Sequence, residues 1–218
     1  MAITQRIEIP PWILRLRLPE APVSAPVMLM LHGWLGDEGV MDVFVNQVPH
    51  QFLIASPRAI YPSQAGGYSW ANRQSNDLST LEEFRPAVAA LDSLLEVLAA
   101  RHPADYSAVH LMGFSQGAAL ASAYAILRPE RLASLACLSG FVPRGFEELA
   151  QGLPLKNKPV FLAHGERDSI VPIETARRGA DWLRGAGAVV EFCLGETGHK
   201  ISAACLRELK EFYASRAA

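Results

Sequence analysis

A single stretch, Gly-Phe-Ser-Gln-Gly at residues 113–117, constrains the fold of this chain more than any other. The mostly apolar residues 108–112 before it are typical of a buried strand, and residues 118–127 after it favour a helix. A turn this sharp forces its central residue, Ser115, into a strained backbone conformation and exposes the hydroxyl. The flanking glycines remove β-carbons that would otherwise collide. The stretch therefore predicts a nucleophilic serine at a strand end, with a serine-capped turn as the structural alternative.

Apolar runs and helical segments alternate along the rest of the chain. An edge strand or hairpin is predicted at residues 6–18, and buried strands are predicted at residues 27–31, 52–57, 132–139, 159–163 and 189–193. Helices are predicted at residues 38–48, 81–101, 118–127, 174–184 and 201–214. This alternation predicts an α/β fold with a mainly parallel central sheet and helices on both faces.

Two segments leave alternatives open. Pro86 lies early in the second predicted helix, so either the regular helix begins near Arg85 or it kinks at the proline. Residues 58–77 form a long loop whose aromatic residues argue against disorder, which indicates a functional segment.

Length and composition exclude several classes of protein. The 218 residues, 50% of them hydrophobic, fit one α/β domain over residues 1–218, and we expect no large cap domain. A net charge of −2 without basic runs argues against nucleic-acid binding, and no apolar stretch predicts a membrane span or a secretory signal. Cys137, Cys193 and Cys205 are an odd number at no metal-ligand spacing, so we expect reduced, mostly buried thiols in a cytoplasmic protein.

A serine nucleophile needs a base and a group that orients the base. In this type of sheet both partners follow the serine, the acid before the histidine, on loops after strands. His199 follows the last predicted strand and is the expected base, whereas His164, at a strand end before a glycine, is assigned a structural role. Asp168 is the expected acid, with Glu166 as the near alternative.

The negative charge on an attacked carbonyl oxygen calls for two preorganised N–H groups. We expect the backbone N–H of Gln116, at the start of a helix, and that of Trp34 in the loop after residues 27–31, with Leu35 as the alternative to Trp34. The candidate acyl-binding residues are aromatic or aliphatic and lie on or beside the same loops. They are Leu35, Tyr68, Trp70, Phe141, Val142 and Ile170.

From about Val27 to its end, the chain resembles the phospholipase/carboxylesterase family of α/β-hydrolases, which includes acyl-protein thioesterases and small bacterial carboxylesterases. The resemblance rests on motifs in the family's order, at residues 31–33, 66–70, 113–119, 139–143, 164–172 and 198–199. It implies a triad of Ser115, Asp168 and His199, an oxyanion hole from the amides near Trp34 and of Gln116, and hydrolysis of esters or thioesters without a cofactor or metal. The family often has leucine and then glycine after its His-Gly pair, where this chain has Trp34 and Leu35.

The expected activity is therefore a serine esterase acting on a small-molecule ester, as a monomer or homodimer, with short to medium acyl chains. Three alternatives stay open: a thioesterase or lysophospholipase for long acyl chains, cofactor-free perhydrolysis, and a non-catalytic hydrolase-like binding protein. A cysteine hydrolase lacks support because no cysteine occupies a strand-to-helix turn.

Overall fold

The structure, a computed structural model, describes residues 4–21, 24–72 and 78–216. Its strands are β1 (Gln5–Ile9), β2 (Trp12–Arg17), β3 (Pro26–Leu31), β4 (Leu53–Pro57), β5 (Tyr61–Pro62), β6 (Tyr68–Ser69), β7 (Asp105–Phe114), β8 (Leu132–Leu138), β9 (Pro159–Gly165) and β10 (Val189–Gly195). Its α-helices are α1 (Leu81–Ala99), α2 (Gln116–Leu127), α3 (Phe146–Leu149), α4 (Ile173–Gly185) and α5 (Ala203–Ala214). Short 3₁₀ helices cover Val40–Gln47 and Pro129–Arg131.

The main sheet has eight strands in the order β1-β2-β4-β3-β7-β8-β9-β10. The β1–β2 hairpin is antiparallel and sits at one edge, while the six strands from β4 to β10 run parallel. In the parallel register Leu31 lies opposite Gly113, and Gly165 lies opposite Gly195. The loops after β3, β7, β9 and β10 therefore leave the same edge of the sheet, where ligands bind in open α/β sheets.

Two apolar layers cover the faces of this sheet. On one face α1, α2 and α4 contribute side chains such as Leu91, Leu120 and Leu183 to a continuous core. On the other face the first 3₁₀ helix and α5 pack side chains such as Phe44 and Leu209 against the strands. The predicted parallel sheet with helices on both faces is confirmed. None of the helices in the described part of the chain is long and apolar enough to cross a membrane.

Helix α1 resolves the question posed by Pro86. The helix begins at Leu81, where the Glu83 carboxylate accepts the backbone N–H of Thr80 at 2.6 Å, and Pro86 lies inside it. A start near Arg85 is therefore wrong. Pro86 sits on the exposed side of the helix, where water can satisfy the carbonyl that its missing N–H leaves open.

The cysteines differ from expectation. Cys193 in β10 and Cys205 in α5 form a disulfide with their Cα atoms 5.6 Å apart, so the prediction of reduced thiols is wrong for this pair. The pairing arises because α5 folds back onto β10, which spacing along the chain does not reveal. Cys137 is the free, buried cysteine, and burial raises the pKa of its thiol to about 12. The argument from reduced thiols to the cytoplasm therefore no longer holds.

The long segment predicted at residues 58–77 is partly ordered into secondary structure. Strands β5 and β6 pair within it as a small antiparallel ribbon, and Gly36 forms a β-bridge to Tyr68. Residues 73–77 lie outside the described residues. The ribbon thus joins the segment to the loop that follows β3.

Candidate active site

Ser115 occupies the sharp turn between β7 and α2. Its backbone has φ 54° and ψ −117°, a combination that L-residues adopt only when the surroundings enforce it. A β-carbon at Gly113 would overlap the carbonyl of Gly117, and one at Gly117 would overlap the carbonyl of Leu31. Gly113 therefore lets α2 begin close behind the strand, and Gly117 lets the turn pack against β3.

Ser115, His199 and Asp168, which are far apart in sequence, meet at the carboxyl edge of the sheet. His199 Nε2 lies 3.1 Å from Ser115 Oγ, and His199 Nδ1 lies 2.8 Å from Asp168 Oδ2. The imidazole is partly exposed and packs against the Phe114 ring at a centroid distance of 5.1 Å. The three side chains thus form a continuous hydrogen-bonded chain from hydroxyl to carboxylate.

The carboxylate of Asp168 is fully buried, and both of its oxygens have hydrogen-bond partners. Its Oδ1 accepts the backbone N–H groups of Ile170 and Val171, each at 2.9 Å, which leaves Oδ2 to face His199. The two loops are also joined through the backbone, because the N–H of Arg167 donates to the carbonyl of Thr197 at 2.9 Å. The loops carrying acid and histidine therefore form one hydrogen-bonded unit.

The alternative residues occupy different positions. His164 is buried, and its Nε2 donates to the carbonyl of Val171 at 2.8 Å. Burial lowers the pKa of His164, so the ring is neutral and holds the loop that carries Asp168. Glu166 is exposed. Its backbone N–H donates to Gly195, while its side chain stays outside the hydrogen-bonded chain of Ser115, His199 and Asp168.

Two loops bring backbone amides toward Ser115. Gln116 is the first residue of α2, and the amides of a first helical turn have no partner within the helix. The loop after β3 lies alongside, since a β-carbon added to Gly33 would sit 3.2 Å from Ser115 Cβ. In that loop the Leu35 N–H donates to the carbonyl of Tyr68 at 2.9 Å. The amide of Leu35 is thus already engaged in holding this loop against the segment that carries Tyr68.

Hydrogen bonds that the sequence did not reveal join these two loops through residues 68–70. The side-chain Oε1 of Gln116 accepts the Trp70 backbone N–H at 3.0 Å, and its Nε2 donates to Ser69 Oγ at 3.0 Å. The indole N–H of Trp70 donates to the carbonyl of His32 at 2.8 Å. His32 is buried; its Nε2 accepts the Ala59 N–H at 3.0 Å, so its Nδ1 carries the proton and donates to the adjacent carbonyl. The feature of the sequence that could have indicated these hydrogen bonds is Gln116, the glutamine directly after the serine.

An ion pair next to the loop after β3 was also not predicted from the sequence. Glu38 accepts from Arg58 Nε at 2.7 Å and from Arg6 Nε at 2.9 Å, and Arg58 also donates to the Tyr68 hydroxyl at 2.9 Å. Burial by itself would raise the pKa of Glu38, but the hydrogen bonds from Arg58 and Arg6 outweigh it and lower the pKa to about 2. The pair ties the end of the loop after β3 to the segment that carries Tyr68.

The candidate acyl-binding residues differ in how far their side chains are exposed to solvent. Leu35 and Ile170 are exposed at the rim, whereas Phe141 and Val142 are buried along the loop after β8. Tyr68 is half-buried, and Trp70 is completely buried, held by its bond to His32. Trp70 therefore supports the loop after β3 from behind, because a fully buried indole has no surface to offer a substrate.

Comparisons with known proteins agree with this architecture. The family model described as Phospholipase/Carboxylesterase matches residues 17–216. The chain is 30% identical over 174 residues to acyl-protein thioesterase 1 of Kluyveromyces lactis, covering 71% of this chain and 75% of that protein. It is 29% identical over 184 residues to a "probable inactive carboxylesterase" of Oryza sativa, covering 76% and 74%. A carboxylesterase structure from Mesorhizobium loti superposes with a TM-score of 0.81 at 19% identity, covering 97% and 98%.

The family model and the superposed structure extend over nearly the whole chain, and the fold is one seen in a solved carboxylesterase. The expected α/β-hydrolase architecture is confirmed by the sheet order and by the structural likeness. The family resemblance inferred from the motifs is confirmed by the family model. The chain belongs to the phospholipase/carboxylesterase family of α/β-hydrolases.

Proposed function

We propose that this chain is a single-domain serine esterase that cleaves carboxylic esters with short to medium acyl chains. The observation that carries the proposal is the hydrogen-bonded chain Ser115–His199–Asp168, with contacts of 3.1 and 2.8 Å. Each contact lies within the range required for proton transfer or orientation of the base. The strained turn at Ser115 supports the same conclusion, because strain of this kind is maintained at sites of function.

The proposed reaction uses each group in turn. Ser115 Oγ attacks the ester carbonyl while His199 Nε2 takes its proton, and Asp168 stabilises the imidazolium that forms. The amides of Gln116 and Trp34 donate to the oxyanion. His199 then returns the proton to the leaving alcohol, which leaves an acyl group on Ser115. Water activated by His199 attacks this acyl group and releases the acid, so no cofactor is required.

Two alternatives derive support from relatives. The thioesterase name of the Kluyveromyces lactis protein supports a second activity on acyl thioesters. The name of the Oryza sativa protein shows that family members include one regarded as inactive, which keeps a non-catalytic role as a rival. The three partnered side chains of the proposed triad favour catalysis over that rival.

The direct test compares Ser115→Ala with wild type on p-nitrophenyl butanoate and in labelling by a fluorophosphonate probe. We expect the variant to lose turnover by at least a thousandfold and to lose labelling entirely. Ser93→Ala, an exposed serine on α1, is the matched control and should retain both. Retention of turnover by Ser115→Ala would overturn the proposal.

A chain-length series then separates the esterase from its long-chain rival. We expect kcat/KM to be highest for acyl chains of about four to eight carbons, because Trp34 and Leu35 stand where the family often has leucine and glycine, and these bulkier side chains limit the space beside Ser115. A maximum at long chains, or a preference for acyl thioesters over the matching esters, would transfer the assignment to the thioesterase or lysophospholipase alternative.

A further inference from the structure

A cleft of about 260 Å³ lies between the loop after β8 and helix α4. Its position relates it to the proposed active site, because Gly140 packs so closely on the serine turn that an added β-carbon would lie 2.8 Å from the carbonyl of Ser115. The next two residues, Phe141 and Val142, form one wall of the cleft. Helix α4, which follows the loop of Asp168, forms the other wall.

Both charged side chains in the lining of this cleft are cationic. Arg144 comes from the loop after β8 and Arg178 from α4, and Thr175 adds a hydroxyl between apolar surfaces that include Trp182. No aspartate or glutamate of the described residues lines the cleft, although the whole chain has a net charge of −2. A cleft lined by one sign of charge concentrates ligands of the opposite sign.

Neither arginine is neutralised within the described part of the chain. Arg144 and Arg178 take part in no ion pair there, and the Arg178 guanidinium instead lies 5.6 Å from the centre of the Trp182 ring. Arg144 also lines a neighbouring cavity that carries Glu82, Glu147 and Glu148, none of which forms an ion pair with it, and two of the acidic residues nearby have other partners. Glu174 pairs with Arg177 at 2.8 Å, and the Glu147 carboxylate accepts the backbone N–H of Gly145 at 2.9 Å.

We propose that the cleft binds the far end of an acyl chain that terminates in a carboxylate, so that the preferred substrates are monoesters of short dicarboxylic acids. The inference rests on the proposed esterase function and adds the substrate class. Phe141 and Val142 contact the methylenes, while the guanidinium groups of Arg144 and Arg178 hold the carboxylate, with which their planar donors pair well. A cleft of about 260 Å³ has room for a chain of about four to six carbons.

The test compares two esters that differ only in the terminal charge: p-nitrophenyl hydrogen adipate, with a free carboxylate, and p-nitrophenyl methyl adipate, in which the carboxylate is masked. Release of nitrophenol reports cleavage of the same bond in both. We expect wild type to prefer the anionic ester about tenfold in kcat/KM at low salt, and the preference to shrink in 0.5 M NaCl.

Variants assign the preference to the two arginines. Arg144→Gln and Arg178→Gln should each lower the ratio of kcat/KM values about threefold, and the double variant should bring it to about one. Arg177→Gln is the matched control, because this neighbouring arginine of α4 pairs with Glu174 and does not line the cleft. An equal rate on both esters in wild type, or a preference that persists in the double variant, would overturn the inference.

A binding measurement separates this inference from the proposed function. Calorimetry of adipate with Ser115→Ala requires no turnover, and we expect saturable binding that is lost when Arg144→Gln and Arg178→Gln are added. Absence of adipate binding, together with cleavage of the masked ester by wild type, would reject the anion site and retain the esterase. Adipate binding without cleavage of any ester would reject the esterase and retain the anion site.

Discussion

Replacing Asp168 with asparagine is the most informative perturbation of the proposed triad, because the surrounding backbone dictates how the new amide must orient. Oδ1 of Asp168 accepts two backbone N–H groups, from Ile170 and Val171. In Asp168→Asn the amide oxygen must stay at that position, so the amide NH₂ takes the place of Oδ2 and faces His199 Nδ1. An NH₂ group donates, which forces the imidazole proton onto Nε2.

This tautomer points a proton at Ser115 Oγ and leaves no base to accept the hydroxyl proton. The buried negative charge that would stabilise the imidazolium, 2.8 Å from Nδ1, is lost as well. We expect kcat to fall about 10³- to 10⁴-fold, which corresponds to about 4–5.5 kcal/mol of transition-state stabilisation. KM should change little, because Asp168 is fully buried and does not contact substrate.

The assay is steady-state hydrolysis of p-nitrophenyl butanoate at pH 7.5, with thermal unfolding measured to confirm that the variant is folded. Asp181→Asn is the matched control, since Asp181 is an exposed residue of α4 whose carboxylate pairs with Arg184, and this variant should retain wild-type kcat. If folded Asp168→Asn keeps kcat within tenfold of wild type, the reasoning about the tautomer is refuted and Asp168 is not the orienting acid.

Four further predictions follow from the packing. Gly117→Ala should lower the stability of the fold and reduce kcat/KM more than tenfold, because its methyl group would overlap the backbone of β3. Full activity of this variant would contradict that expectation by showing that the turn relaxes freely. Trp70→Phe should cost about 1 kcal/mol in urea unfolding and lower kcat several-fold with KM unchanged, since the bond that holds the loop after β3 is lost. The lowered pKa of Glu38 adds about 3 kcal/mol of stability above pH 4.5 that is lost toward pH 2, so urea titrations of Glu38→Gln should lack this part of the acid dependence, and identical curves would contradict it. Cys205→Ser should lower the free energy of unfolding by about 3 kcal/mol, because it removes the disulfide that joins two residues with a sequence separation of 12. An unchanged urea midpoint under non-reducing conditions would contradict the stabilising role of the disulfide.

The parts of the fold that the sequence predicts are those governed by local physics. The strand, turn and helix around Ser115 follow from an apolar run, two glycines and a helix-forming segment that are adjacent in the chain. The mainly parallel sheet with helices on both faces, and the loop positions of Asp168 and His199, follow from the alternation of strands and helices. In each case, local patterns along the sequence are sufficient to predict the structure.

Features that depend on contacts between distant segments were not predicted. The disulfide of Cys193 and Cys205 requires α5 to return to β10, and the burial of Trp70 requires its indole to reach the carbonyl of His32. The side chain of Gln116 contacts Ser69, 47 residues away, and no periodicity marks such a pair. The start of α1 is a different case, because the capping contact between Glu83 and Thr80 is local and excludes the alternative start near Arg85.

The ribbon residues 68–70 contact both loops that supply the proposed oxyanion donors. One side of this segment holds Leu35 and His32, and the other side holds the Gln116 amide side chain. The two donors therefore cannot drift apart independently, and the distance between them is fixed in the resting molecule rather than adjusted by each arriving ester. Two backbone N–H groups that are preorganised in this way do not have to reorient when negative charge develops on the substrate oxygen. Selection among acyl groups then falls to side chains away from these two amides, such as the exposed Ile170 and the lining of the cleft between the loop after β8 and α4, which can vary without disturbing the chemistry at the serine.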